Sequence, residues 1–290
     1  MRVLVLGAYG MLGHKLLDKL SGRYEVYGTA RVRKKYTSLS TAKDDRIISG
    51  VDALKPGSVC GVVDRLAPEV IINCIGLIKQ LGASTDPVDM MHLNSVLPHK
   101  LANIAKEHDA RLIHFSTDCV FSGKNGMYTI TDRSDAEDLY GKTKYLGEVP
   151  YGNCLTIRSS IIGPELGTKN GLLEWFLSQG GKTISGYRKT IYSGFTTLEM
   201  SRIVSMCLDR FPDLHGVWQV ASSPISKFDL LTIINEKMDL GVNIEPDYGF
   251  ICDRSLDGSE FNKETGYRSP EWPKMIDEMI SDMNQERIVG

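Results

Sequence analysis

The chain has 290 residues, 42% of them hydrophobic and 24% charged, and a formal net charge of -2. It is long enough to bury a sizeable core as one large domain or two small ones. No segment carries a dense block of Lys or Arg, which argues against nucleic acid as a partner, and no apolar run approaches the roughly 18 residues of a bilayer span.

Hydrophobic spacing gives the elements in chain order. Short apolar runs at 3–6 (VLVL), 25–30 (EVYGTA), 46–50 (RIISG), 70–76 (VIINCIG), 111–117 (RLIHFST) and 154–160 (CLTIRSS) read as strands. Between them, stretches such as MLGHKLLDKLSG and LPHKLANIAKEHDA repeat their apolar positions at helical spacing. This alternation predicts an α/β fold, a doubly wound parallel sheet with helices on both faces. After Arg158 the rhythm loosens into glycine-rich connections, a helix near 197–210, a strand-like GVWQVA and further amphipathic segments. The last stretch, SPEWPKMIDEMISDMNQE, predicts a helix whose Met275, Ile276, Met279, Ile280 and Met283 face the core.

Cys60, Cys74, Cys119, Cys154, Cys207 and Cys252 are scattered, with no CxxC pair and no clustering with histidine. That argues against a zinc site or a disulfide framework and fits a reducing cytoplasm. The histidines show no HxxxH spacing and read as structural, so no metal is expected. The apolar opening VLVLGAYGMLG carries regularly spaced glycines and no small-residue cleavage site, so it reads as fold rather than signal peptide.

Those glycines, Gly7, Gly10 and Gly13, form GxxGxxG directly after the first strand and at the opening of a helix. The first serves a tight turn, the second close approach of backbone to a pyrophosphate, and the third packing of helix on strand. Tyr9, Met11 and Leu12 complete the expected cofactor-contacting loop. Residues 1–157 therefore read as a dinucleotide-binding domain of Rossmann type, completed by residues near 190–220. Residues 158–290 read mainly as a substrate-binding region folded over the sheet's carboxyl edge. Strand two ends in GTARVRKK, where an acidic residue would hold the ribose 2'-hydroxyl of NAD. Arg31, with Arg33, Lys34 and Lys35 behind it, instead suits the 2'-phosphate, so NADP(H) is preferred with NAD(H) as the lesser cofactor. Asp52 after the third strand is a candidate for the adenine amine, and Cys74 and Gly76 lie where the riboses pass. Asn94 reads as a helix residue bonded to backbone.

Hydride delivery to a carbonyl requires a proton donor. Tyr140 fits if its pKa of about 10 is lowered, and Lys144, one helical turn away on the same face, supplies the charge for that. Thr117, ending the fifth strand, is the natural hydroxyl to orient the carbonyl, with Ser116 pointing to the other face. Taken with GxxGxxG, the stretches STDCVFSGKNGMY and DLYGKTKYLGE resemble the extended short-chain dehydrogenases, and most of all dTDP-4-dehydrorhamnose reductase and related sugar-nucleotide reductases. RSSIIGP and RSLDGSEFNKETGY extend the likeness more loosely. The resemblance implies that Tyr140 is the general acid, Lys144 the pKa modulator and ribose ligand, and Thr117 the carbonyl-orienting hydroxyl.

Departures from that pattern are informative. Relatives that dehydrate nucleotide sugars carry Asp-Glu after the threonine, whereas here Cys119 follows Asp118, and Ala136 replaces a proline before the tyrosine. Expected substrate contacts are Asp118, Cys119, Arg158, Trp175 and Arg254, with Lys169 and Arg188 as further diphosphate candidates and Tyr187 and Trp218 as further stacking candidates. The leading expectation is a cytoplasmic NADPH-dependent reductase of a keto-deoxy sugar nucleotide in polysaccharide precursor synthesis, with homo-oligomerisation left open. The rivals are an epimerase retaining NAD and a non-catalytic NADP-binding subunit like that of methionine adenosyltransferase.

Overall fold

The structure is a computed structural model and describes residues 1–34, 45–55, 57–78 and 86–289, without the side chains of 286–289. Strands run in chain order as β1 (Arg2–Leu6), β2 (Glu25–Ala30), β3 (Ile47–Ser49), β4 (Val70–Asn73), β5 (Arg111–Ser116) and β6 (Cys154–Arg158). They continue as β7 (Ile161–Ile162), β8 (Thr183–Tyr192), β9 (Phe195–Thr196), β10 (Gly216–Gln219), β11 (Ile225–Ser226) and β12 (Asn243–Asp253). The helices are α1 (Met11–Leu20), α2 (Cys60–Leu66), α3 (Pro87–Met91), a π-helical turn (His92–Val96), α4 (Leu97–Glu107) and α5 (Leu139–Leu146). They are followed by α6 (Leu172–Leu177), α7 (Thr197–Asp209), α8 (Lys227–Met238), α9 (Ser259–Thr265) and α10 (Trp272–Val289).

Among the described residues a seven-stranded sheet runs β10-β6-β5-β4-β1-β2-β3, with every neighbouring pair parallel. The chain reverses its direction of strand addition between β1 and β4. The crevice outside the carboxyl ends at such a switch point is where open α/β sheets take ligands.

The strands are apolar on successive residues because both faces are covered. In β1, Val3 and Val5 join one core with Leu16 and Leu17 of α1, Met200 and Ile203 of α7, and Met275, Ile276 and Met279 of α10. Leu4 and Leu6 face the opposite core with Val62 and Val63 of α2 and Leu97 and Leu101 of α4. Each such side chain contributes about 1.5–3 kcal/mol by leaving water. The terminal stripe lies where its spacing predicts, with Met283 also buried and Ile280 packed against that core.

Beyond Arg158 the chain returns β10 to the main sheet beside β6 and adds α7 and α10 to its helical cover. The remaining strands form a second sheet, β11-β8-β12, and the pair β7-β9. Strands β8 and β12 run parallel from Thr183↔Asn243 to Ile191↔Asp253, with an irregularity between Asp247 and Ile251. The segment after β12 then closes on the loop after β5: Asp253 N–H donates to the Gly123 carbonyl at 2.8 Å, and Tyr128 N–H to that of Ser255 at 2.9 Å.

Candidate active site

Strand β1 delivers the chain into the glycine turn. Gly7 has φ +83°, the left-handed region that a side chain strains, and a Cβ on Gly13 would lie 2.1 Å from the Gly7 carbonyl oxygen. The turn is thus locked onto the first turn of α1, which has Gly10 as its N-cap, no side-chain cap and no acidic residue. Its N–H groups and partial positive charge suit an anion.

This turn forms one wall of a cavity of about 740 Å³. Gly7, Tyr9, Gly10, Arg31, Asp52, Cys74 and Gly76, all expected at the cofactor, line it. So do Lys34, Lys55 and Leu93, of which the last two escaped the sequence reading because no motif marks them. Met11 instead turns its side chain toward Gly171, and the Leu12 side chain is buried in the core, leaving the backbone as its offering to a ligand. Arg33 pairs with Asp45 at 3.6 Å, and Lys35 lies outside the described residues. The Asp52 carboxylate accepts from Leu54 N–H at 3.1 Å within its own turn. Asn94, on the π-helical turn, accepts from Leu77 N–H at 2.9 Å and donates to the Leu77 carbonyl at 3.0 Å, which fixes the loop after β4.

The residues of the expected catalytic trio gather at the end of β5. Thr117 caps a short 3-10 turn (Asp118–Val120), accepting from Cys119 N–H at 3.2 Å and donating to Asp118 Oδ1 at 3.1 Å. Asp138 starts α5 by accepting from Gly141 N–H at 2.8 Å. One turn of that helix brings Tyr140 beside Thr117 and buries Lys144, whose Nζ donates to the Phe115 carbonyl at 2.6 Å. Both residues therefore converge on β5 from one helix face.

The expectation that Lys144 lowers the Tyr140 phenol is not met. Burial pushes the phenol above its ordinary value, Cys119 adds to the rise, and the Thr117 hydroxyl opposes it only in part. Lys144 has turned its ammonium to the Phe115 carbonyl and is itself pushed down to about 8 by burial, against the pull of Glu148 and Cys74. The phenol stays protonated, which is the form that donates a proton. Burial and the Asp118 carboxylate push the Cys119 thiol up to about 12, so it is a neutral wall and not a nucleophile.

Arg254 does reach this centre, with Nε donating to the Phe121 carbonyl at 2.8 Å and Nη1 lying 3.8 Å from Cys119 Sγ. Arg158 is a correction. It is buried, with Nε and Nη2 at 2.9 and 2.7 Å from the two Glu148 oxygens and Nη1 at 3.0 Å from Gln219, so it braces β6 against β10. The same Glu148 accepts from Ser116 at 2.7 Å. Arg188 is likewise engaged, by Asp229 at 2.9 Å and by the Phe228 ring at 3.6 Å. Trp218 donates to the His215 carbonyl at 2.7 Å, and Trp175 stands exposed on α6 with its ring tilted against Phe176. The sequence reading also missed Tyr192, a buried phenol within electrostatic reach of Asp118 and Cys119, because its chain position lies far from theirs. Among the described residues no group of three or more His, Cys, Asp or Glu is placed to hold a metal, and no helix is long and apolar enough to cross a membrane.

Both requirements of a dinucleotide are met by observation: a cradle that a Cβ would fill, and a cavity running from it toward the cations after β2. The pattern that defines the RmlD substrate binding domain family matches residues 1–161. The dTDP-4-dehydrorhamnose reductase of Mycolicibacterium smegmatis is 30% identical over 149 residues, 51% of this chain and 40% of that protein. Methionine adenosyltransferase 2 subunit beta of Danio rerio is 30% identical over 151 residues, 51% of this chain and 42% of that protein. The match thus spans less than half the length of either relative. A crystal structure of dTDP-4-dehydrorhamnose reductase from Bacillus anthracis in complex with NADP shares the fold with a TM-score of 0.79 at 20% identity, covering 97% of this chain and 99% of that one.

Proposed function

We propose, from the premise that this chain belongs to the RmlD substrate binding domain family, that it is an NADPH-dependent reductase of a keto group, at C4, on a deoxy sugar nucleotide. The observation that carries this reading is the convergence of Thr117, Tyr140 and Lys144 at the end of β5, on the same sheet edge as the glycine-lined cavity. NADPH, held by Gly7, Gly10 and Arg31, would supply hydride to the carbonyl carbon. The Tyr140 phenol gives its proton to the carbonyl oxygen, and the Thr117 hydroxyl holds that oxygen in place. Lys144, held by the Phe115 carbonyl one helical turn from Tyr140, contributes a donor for the cofactor's ribose. Asp118, Cys119 and Arg254 border the sugar nucleotide.

A dehydratase reading lacks support because water elimination needs a second carboxylate where Cys119 stands. The pathway reading, polysaccharide precursor synthesis in the cytoplasm, follows from this substrate class. NADPH consumption against a panel of 4-keto sugar nucleotides tests the proposal, and a Tyr140→Phe protein that kept full reductase activity would sink it. The likeness to an adenosyltransferase subunit motivates a second reading, a non-catalytic NADP-binding partner protein. Nucleotide binding without consumption of NADPH, together with a stable protein partner, would favour it.

A further inference from the structure

The cavity's charge is concentrated at one end. Arg31 and Lys34 come from the loop after β2 and Lys55 from the turn after β3, and all three line the space that begins at the glycine turn. Among the described residues Asp52 is the one carboxylate on that lining, and its Oδ1 accepts from Leu54 N–H. Among the described residues three cations against one carboxylate leave an excess of about two positive charges, the complement of a dianionic phosphate. A free ribose hydroxyl would instead call for an open acceptor there.

The Tyr9 side chain ties Lys34 to the phosphate turn. The Tyr9 hydroxyl donates to the Lys34 carbonyl at 2.9 Å and accepts from Lys34 N–H at 3.3 Å. A single phenol thus satisfies both backbone groups of one exposed residue and spans from the glycine turn to the cation loop. We propose that Tyr9 is a positioning residue for cofactor choice: it holds Arg31 and Lys34 in register with Lys55, so that the three cations grip the 2'-phosphate of NADP. Ordering Arg31 to Lys34 beforehand removes an entropic cost from binding the phosphorylated cofactor and leaves the unphosphorylated one unaffected. The proposal rests on reading the cavity as a dinucleotide site.

The test is a binding titration, without turnover, of NADPH and NADH to the full-length wild type, Tyr9→Phe and Lys55→Gln, with thermal unfolding of each protein recorded alongside. Each substitution is expected to weaken NADPH by about three- to tenfold and NADH by less than about twofold, with added salt narrowing the gap between the cofactors. Equal weakening of both nucleotides, or an unchanged ratio in either variant, overturns the proposal and leaves the reductase reading standing. A wild type that binds neither nucleotide overturns both.

Discussion

Two sides of one sheet edge are built by different means. The cofactor side begins in contiguous chain: Gly7 to Gly13 makes the turn, and the strand that follows α1 leads into Arg31 and Lys34. The proposed substrate side is made of side chains that meet from distant segments, Thr117 and Cys119 from the end of β5 and Arg254 from beyond β12. Backbone geometry of the first kind announces itself in glycine spacing, whereas the second exists only once the whole chain has packed.

The sharpest way to break this contrast is to remove a single oxygen on the substrate side. Tyr140→Phe is expected to lower kcat by about 10²- to 10⁴-fold with little change in the KM for NADPH; comparable losses in both would mean that the phenol serves binding. Next comes Arg158→Leu, which strands the Glu148 carboxylate inside the protein and should destabilise by about 3–5 kcal/mol in urea unfolding. A neutral result there would return Arg158 to the list of substrate contacts. On the cofactor side Gly13→Ala drives a methyl into the Gly7 carbonyl, 2.1 Å away. It should cost about 1–3 kcal/mol and weaken NADPH binding in calorimetry.

The last effect is a pH dependence. Lys144 has an ordinary value of 10.5 and is pushed down to about 8 in the fold, so between those values the unfolded chain holds a proton that the folded chain has released. Its penalty on stability is full below about 8 and is relieved as pH rises toward 10.5. The stability of the wild type relative to Lys144→Met should therefore increase across that window, and a constant difference in urea unfolding would refute it.

The same contrast explains how much was legible beforehand. Strands β1 to β6 and the first helix follow from apolar runs that any two-sided parallel sheet requires, and the trio follows from strand ends and helical spacing. Arg158 was misread because its partner Glu148 looks like a solvated carboxylate in sequence, and only the pairing of β6 with β10 encloses them both. The Tyr140 phenol was assigned the wrong direction for a related reason: spacing puts Lys144 on its face, but not its ammonium on the Phe115 carbonyl. The long β8-β12 pairing joins half-exposed, mixed-polarity strands, whose register no local pattern encodes.

The return of Gly216–Gln219 to the edge of β6 also sets an order of events during synthesis. Chains emerge from the ribosome with the amino terminus first, so the glycine turn, α1 and the first strands are available early. The edge of β6 nevertheless stays open while everything between Arg158 and Gly216 is still being made. An open parallel edge is a template for pairing with other chains. A polypeptide terminated in that interval would carry an almost complete nucleotide-binding sheet and would be prone to aggregate, whereas one that reaches Gln219 can seal the edge itself.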